Sequence, residues 1–240
     1  MKVTKIKTIV VALSLSLFAI QNVNAQFDVG ADFVSRYLWR GLDFSTAPSI
    51  QPWVSYSFEK DNFGLEVGAW GSYSFNGNDG SEADLYLTIS QGPVSLTITD
   101  YFFPTDMAMS HDYFEYSDTL TGHILEGMLM YEGPEKFPFT ATFAYNFFGA
   151  DAEKVDGDPA SFYAELLYTP IEGLDVFVGG GNGFYSMEPD GKDDEFGITN
   201  IGLTYTKEFK ISETFTLPAF GTLAFNPDAE KIYILFGLSF

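Results

Sequence analysis

The chain of 240 residues contains no cysteine, two histidines, and 12 basic residues against 33 acidic ones, for a formal charge of −21. Each shortage removes a class of protein. Without cysteine there is no disulfide framework and no lipid-modified amino-terminal cysteine, so the fold must stand on its secondary structure alone. A chain this acidic has no basic face for nucleic acid, and no nucleic-acid partner is expected. Beyond residue 25 no stretch carries the three-to-four-residue apolar spacing of a long amphipathic helix. Aromatic residues are plentiful instead, with 25 Phe, 14 Tyr and 3 Trp, yet mean hydropathy is only +0.03. Apolar and polar residues must therefore alternate rather than cluster.

Residues 1–25, MKVTKIKTIVVALSLSLFAIQNVNA, set three lysines before an apolar run from Ile9 to Ile20 and end with Val23 and Ala25 at the small-residue cleavage positions. This is the pattern of a secretory signal peptide cut after Ala25, because a membrane-spanning helix needs about 20 apolar residues. Its removal takes away Lys2, Lys5 and Lys7 and no acid, which moves the formal charge from −21 to −24. Residues 26–240 form the remaining domain.

That domain reads as strand after strand. In the first segment Phe27, Val29, Ala31, Phe33, Tyr37 and Trp39 share one face, and Asp28, Asp32, Arg36 and Arg40 share the other. The alternation recurs near 50–59, 63–75, 83–90, 94–102, 123–131, 138–148, 161–169, 174–185, 196–206, 214–225 and 231–240, giving about twelve strands. Connections near 41–49, 76–82, 103–122, 149–160, 186–195 and 226–230 are mostly long and polar, whereas those at 61–62, 91–93, 132–137, 170–173 and 207–212 are mostly short. Long loops at one end and short turns at the other, with an even strand count, predict an all-β transmembrane antiparallel up-and-down β-barrel of about 12 strands in the outer membrane. A soluble β-sandwich also alternates faces, but its strands are typically about five or six residues long, not about ten.

In the last segment, KIYILFGLSF, the even positions Ile232, Ile234, Phe236, Leu238 and Phe240 are all apolar. This resembles the carboxy-terminal signature that the bacterial barrel-assembly machinery recognises, which implies that machinery as a partner during biogenesis and outer-membrane lipid thereafter. The first hairpin, SRYLWRGLDFSTAPSIQPWVSYSF, resembles the opening of the Gcw_chp-type bacterial proteins, an outer-membrane barrel family of unknown function, at Ser35, Tyr37, Arg40, Gly41, Pro48 and Gln51. Read from the residues alone, Arg36 and Arg40 point inward at the loop end of strand one, Gly41 lets the chain turn, and Arg40 is expected to pair with an inward carboxylate on a neighbouring strand.

Function is expected to lie in the lumen. Asp28, Asp32, Arg36, Arg40, Glu59, Glu66, Asp84, Glu126 and Glu165 are expected to face it, with Trp53, Trp70 and Tyr86. Charges of both signs inside a barrel mean either a wet passage for small polar solutes, with a bias towards cations, or a closed interior of paired charges. A third reading is a hydrolase built on His111 or His123 beside the long outer loop; Ser110, His111 and Asp112 are sequence neighbours that seldom converge on one point, and no enzyme activity is expected. The acidic loops 151–159 and 188–195 carry carboxylates that could gather divalent cations, though neither has the spacing of a twelve-residue calcium loop. No cofactor and no defined metal site are expected.

Overall fold

The computed structural model describes residues 24–77, 80–104, 112–117, 121–151, 160–186 and 195–240. The expected signal peptide lies outside these apart from Asn24 and Ala25, which begin the first strand. Also outside them are Ser110, His111 and nearly all of both acidic loops.

The strands are β1 (Asn24–Val34), β2 (Tyr37–Trp39), β3 (Leu42–Ser45), β4 (Ser49–Lys60), β5 (Phe63–Ser74), β6 (Glu82–Gln91), β7 (Val94–Phe102), β8 (His123–Glu132), β9 (Phe139–Gly149), β10 (Phe162–Ile171), β11 (Leu174–Gly181), β12 (Gly197–Lys210), β13 (Thr216–Asn226) and β14 (Lys231–Ser239). Twelve of them, β1 and β4 to β14, pair antiparallel with their neighbours along the chain and close into a barrel through β1 and β14. The protein is thus a twelve-stranded up-and-down β-barrel. Closure is short: Asp32, Phe33 and Val34 oppose Ser239, Leu238 and Gly237. Ala31 and Phe240 then exchange backbone hydrogen bonds of 3.1 and 3.0 Å. Pairing of β1 with β4 runs the whole strand, from Asn24 opposite Glu59 to Val34 opposite Ser49.

Alternation sorts the two faces as the pleat requires. On β14, Ile232, Ile234 and Phe236 are 60–68% exposed on the outside while Tyr233 and Leu235 are buried inside. The same outward apolar rows recur on β5 with Val67, on β6 with Leu85 and Leu87, and on β12 with Ile201, Leu203 and Tyr205. An apolar surface that wraps the whole wall is far larger than the patches soluble monomers expose. Closure meanwhile leaves no open edge over the paired span, so backbone polar groups are satisfied within the sheet.

Two expectations need correction. The first strand does not run on to Arg40: it leaves the wall after Val34, with bends at Ser35 and Arg36. Residues 37–45 then form a separate two-stranded sheet, β2–β3, inside the barrel. Tyr37 and Trp39, expected on the lipid face, are therefore interior residues, and Tyr37 is buried. Alternation survives because the inserted segment is itself β-structure, but its sheet is no longer the wall. Likewise the expected strand over 174–185 stops at Gly181, and Gly183–Tyr185 is a single 3-10 turn folded inward, with Tyr185 buried.

The β2–β3 connection is two residues long, with Trp39 opposite Leu42. Arg40 and Gly41 both have positive φ, 51° and 81°, as the tightest hairpin turns require. A Cβ on Gly41 would sit 1.8 Å from the Thr199 carbonyl oxygen, so the tip presses against β12 with no room for a side chain. Gly41→Ala is expected to cost the hairpin about 1–3 kcal/mol and to raise amide exchange over residues 37–45 at least about tenfold while the wall strands stay protected. Hydrogen exchange read by mass spectrometry checks this, and unchanged exchange in the hairpin would refute the fit.

Candidate functional site

The hairpin spans the loop half of the lumen and is held at both ends. At its base, Arg36 forks onto Asp43, Nε to Oδ1 at 3.1 Å and Nη2 to Oδ2 at 2.8 Å, and lies over the Tyr233 ring. At its tip, Arg40 forms a two-pronged ion pair with Glu126 on β8, including an Nη2 to Oε1 bond of 3.1 Å, and donates to the Tyr185 hydroxyl at 2.8 Å. The partner is an inward carboxylate, but it stands on the far wall, not on a neighbouring strand. This follows from the hairpin's leaving β1 and crossing the lumen. Tyr101 and Tyr185 also donate to Glu126, at 3.0 and 2.7 Å, so its buried carboxylate is fully engaged. The Trp39 and Tyr163 rings cover the Arg40 guanidinium at 4.3 and 4.8 Å. Carbonyl oxygens at the tip are taken by the wall: Asn226 Nδ2 donates to Gly41 at 3.0 Å and Thr199 Oγ1 to Arg40 at 3.3 Å.

Arg36 and Arg40 are the only arginines in the chain. Both sit on the inserted segment, so the hairpin carries the guanidinium charge of the lumen and, Asp43 apart, the wall carries the acids. Between hairpin and wall lies a chamber of about 460 Å³, lined by Arg36, Tyr37 and Arg40 of the inserted segment and by Trp70, Glu82, Asp84 and Tyr101 of the wall, among others. Tyr37 donates to Glu82 at 2.6 Å and packs against Trp70 with ring centroids 5.6 Å apart. On the opposite side Glu165 accepts from Tyr163 at 2.6 Å and from Asn200 at 2.8 Å.

The remaining acids occupy other levels. Asp32 lies on the inner face of β1 opposite Gln51. Asp28, Glu59 and Glu66 lie toward the turn end, where Glu59 and Glu66 border a cavity of about 140 Å³ with Ser57, Thr88 and Ser90. Trp53 sits over Gly30 and Tyr86 over Gly68, in space that a Cβ at either glycine would fill. The structure thus brings Arg36, Arg40, Trp70 and Asp84 to the walls of one chamber, with Glu126 on Arg40, and keeps Glu59 and Glu66 together at the other end.

Reading the sequence missed Glu82, Tyr101, Tyr163 and Tyr185. Parity along β6 would have placed Glu82 two residues before Asp84 on the same face. For Tyr185 no periodic signal exists, because it sits on a turn.

At the outer rim His123 is buried beneath residues 112–117. Its Nδ1 faces Asp100 Oδ1 and its Nε2 the Tyr113 carbonyl, each at 2.7 Å. Tyr116 stacks on the imidazole at 4.1 Å and donates to Asp100 at 2.6 Å. Loss of solvent and the Asp100 carboxylate push the Tyr116 hydroxyl above its ordinary pKa, so it remains a donor. Both ring nitrogens thus face acceptor oxygens, which leaves neither open to a substrate. The cluster pins a loop to the wall.

No family model matches the chain, and no curated protein matches it. Among solved structures, an outer membrane channel from Pseudomonas putida F1 is similar, with 14% sequence identity over 92% of this chain and 95% of that one and a TM-score of 0.44.

Two predictions test these contacts. Arg40→Met leaves Glu126 charged and buried without its cation and is expected to lower stability by about 3–5 kcal/mol, read as the urea midpoint of the folded barrel in detergent. Adding Glu126→Leu should recover most of the loss, and a wild-type midpoint for Arg40→Met alone would show the pair to be idle. His123→Leu removes the anchor of residues 112–117, so chymotrypsin should cut at Tyr113, Phe114 or Tyr116 at least several-fold faster than in the wild type, with the wall strands intact. Equal cleavage rates would exclude the anchoring role.

Proposed function

We propose that this protein is an outer-membrane barrel that binds small polar solutes in its lumen and passes them when the β2–β3 hairpin moves aside. The observation that carries this reading is the chamber of about 460 Å³ between the hairpin and a wall bearing inward acids and aromatic rings. Its volume falls within the about 300–1,000 Å³ common for small-molecule sites. Support for the membrane comes from the apolar outer face and from a closed sheet whose alternating strands are long enough to cross at a tilt. Lipid is then the partner of the outer wall, and the barrel-assembly machinery the partner of the β14 sequence during insertion. The acidic loops, which lie outside the described residues, would gather divalent cations near an anionic surface without a defined site.

A second reading is a closed barrel with a structural or surface-binding role. The hairpin favours it, since aromatic rings and two ion pairs fill the loop half. A hydrolytic role draws no support from His123, whose nitrogens are both engaged.

Planar-bilayer recording separates the two. Wild-type protein is expected to be closed for most of the time, and replacing residues 36–46 by a Gly/Ser segment of equal length should produce steady conductance. Because that change removes both arginines and leaves the wall acids, the reversal potential in a KCl gradient should favour K⁺ over Cl⁻. A folded variant with no conductance would overturn the channel reading and leave the closed barrel.

A further inference from the structure

We propose that the chamber is a binding site for a small organic cation, an ammonium or guanidinium group on an apolar body, received by Glu82 and Asp84 against the rings of Trp70, Tyr37 and Tyr101. It deepens the lumen reading above and rests on it.

Glu82 and Asp84 are two residues apart on β6, so the pleat sends both side chains inward at neighbouring levels. They are 2% and 7% exposed. Every other acid held deep in the loop half has a counter-charge or several donors: Glu126 has Arg40 and two tyrosines, and Glu165 has Tyr163 and Asn200. Among the described residues no salt bridge reaches Glu82 or Asp84. Both arginines border the chamber, but neither is spare, because Arg36 is held by Asp43 and Arg40 by Glu126.

A second observation points to the same place. Two buried side-chain polar atoms among the described residues lack a hydrogen-bond partner, Ser72 Oγ and Asp84 Oδ1. Ser72 lies directly opposite Glu82 in the β5–β6 ladder, and Trp70 directly opposite Asp84. The two orphaned atoms thus flank one acid pair, and the Asp84 side chain borders the chamber. Buried polar groups are nearly always satisfied, so the acid pair stands in a place short of donors from the protein itself.

Two adjacent buried carboxylates need a positive counter-charge; Glu82 and Asp84 hydrogen-bond to each other, so a shared proton serves when the chamber is empty, and a bound cation takes its place. A divalent metal fits poorly: Ca²⁺ takes about six to eight oxygens, and no cluster of three or more acidic, histidine or cysteine groups suited to a metal occurs among the described residues. Ring faces beside the acids favour an organic cation instead, which gains from the quadrupole of Trp and Tyr as well as from the carboxylates. Trp70 and Tyr37 stand 5.6 Å apart at their centroids, and the Tyr37 hydroxyl already orients Glu82.

The test uses the full barrel in detergent micelles and calorimetric titration with benzylammonium chloride, with benzyl alcohol as the neutral isostere. Saturable one-to-one binding of benzylammonium is expected, with no saturable heat from benzyl alcohol and weaker binding as the pH falls and protons compete. Asp84→Asn and Glu82→Gln should each weaken binding at least about tenfold, Trp70→Leu a few-fold, and Glu172→Gln, on an exposed turn at the other end, should leave it unchanged. Folding of each variant is checked by its heat-modifiable gel mobility. Asp84→Asn and Glu82→Gln are near-isosteric, so if one fails to fold the other decides. Equal binding of the alcohol, full binding by either folded acid variant, or no binding at all would overturn the site. Cation binding with silent bilayers would sink the channel reading alone, whereas conductance without cation binding would sink this inference alone.

Discussion

Closing a sheet of alternating strands into a barrel with an apolar exterior forces every inward polar side chain into one confined lumen, and charge neutrality there is the constraint on which the rest depends. The wall supplies acids: Glu82, Asp84, Glu126 and Glu165 lie around its loop half, and Asp28, Glu59 and Glu66 toward the turn end. Solvent can screen the turn-end group, since Asp28 and Glu59 are exposed. The deep acids have no such relief. Burying a carboxylate unpaired costs several kcal/mol, so each needs a cation or a set of donors close by.

The inserted hairpin answers that need with great economy of residues. Its tip delivers Arg40 to Glu126 across the lumen, and Tyr185 and Tyr101 complete the carboxylate's shell. Its body brings rings: Trp39 lies against Tyr101 and Tyr185, and Phe44 stacks on Phe103 at 5.5 Å. A side-chain-filled interior suits a barrel of eight strands, while sixteen leave a channel; twelve strands fall between, and here the lumen holds a separate two-stranded sheet as well as the wall's own side chains. That sheet, residues 37–45, takes up part of the lumen. Filling and neutralisation are thereby the same event, because the residues that fill the space also carry the guanidinium groups.

The wall was legible in the sequence because a pleated strand between lipid and lumen has one period and two environments. Strand count, the alternating faces and the division into long and short connections all follow from it, and strand ends at Lys60, Phe63, Val94 and Phe102 fall at or within a residue of the expected bounds. The hairpin was not legible, and the reason lies at Ser35 and Arg36. Tyr37 and Trp39 continue the parity of Phe33, and aromatic residues suit a lipid interface as well as a packed interior. Period alone cannot distinguish a strand that stays in the wall from one that folds inward. The clue present in the sequence was chemical: Arg40 beside Gly41 makes a turn with two positive φ angles and puts a guanidinium at its apex, which is an odd thing to offer to lipid or to a loop. Its partner on β8 is 86 residues away, so only the closed barrel reveals it. The same limit hid Tyr185, whose position depends on a turn and not on a repeat.

The distribution of guanidinium charge separates two kinds of acid in the loop half. Glu126 and Asp43 are neutralised by contacts internal to the fold, and losing either arginine would leave an acid stranded. Glu82 and Asp84 are different, for the chain has no third arginine to give them and no salt bridge reaches them among the described residues. Tyr37 satisfies part of Glu82 with a neutral hydroxyl, which orients the carboxylate without cancelling its charge. Such an acid pair beside a chamber, with two unsatisfied polar atoms and a tryptophan opposite, is the arrangement expected where the counter-charge comes from outside the chain. Because Tyr37 belongs to the hairpin and Glu82 to the wall, whatever neutralises Glu82 acts at the joint between them.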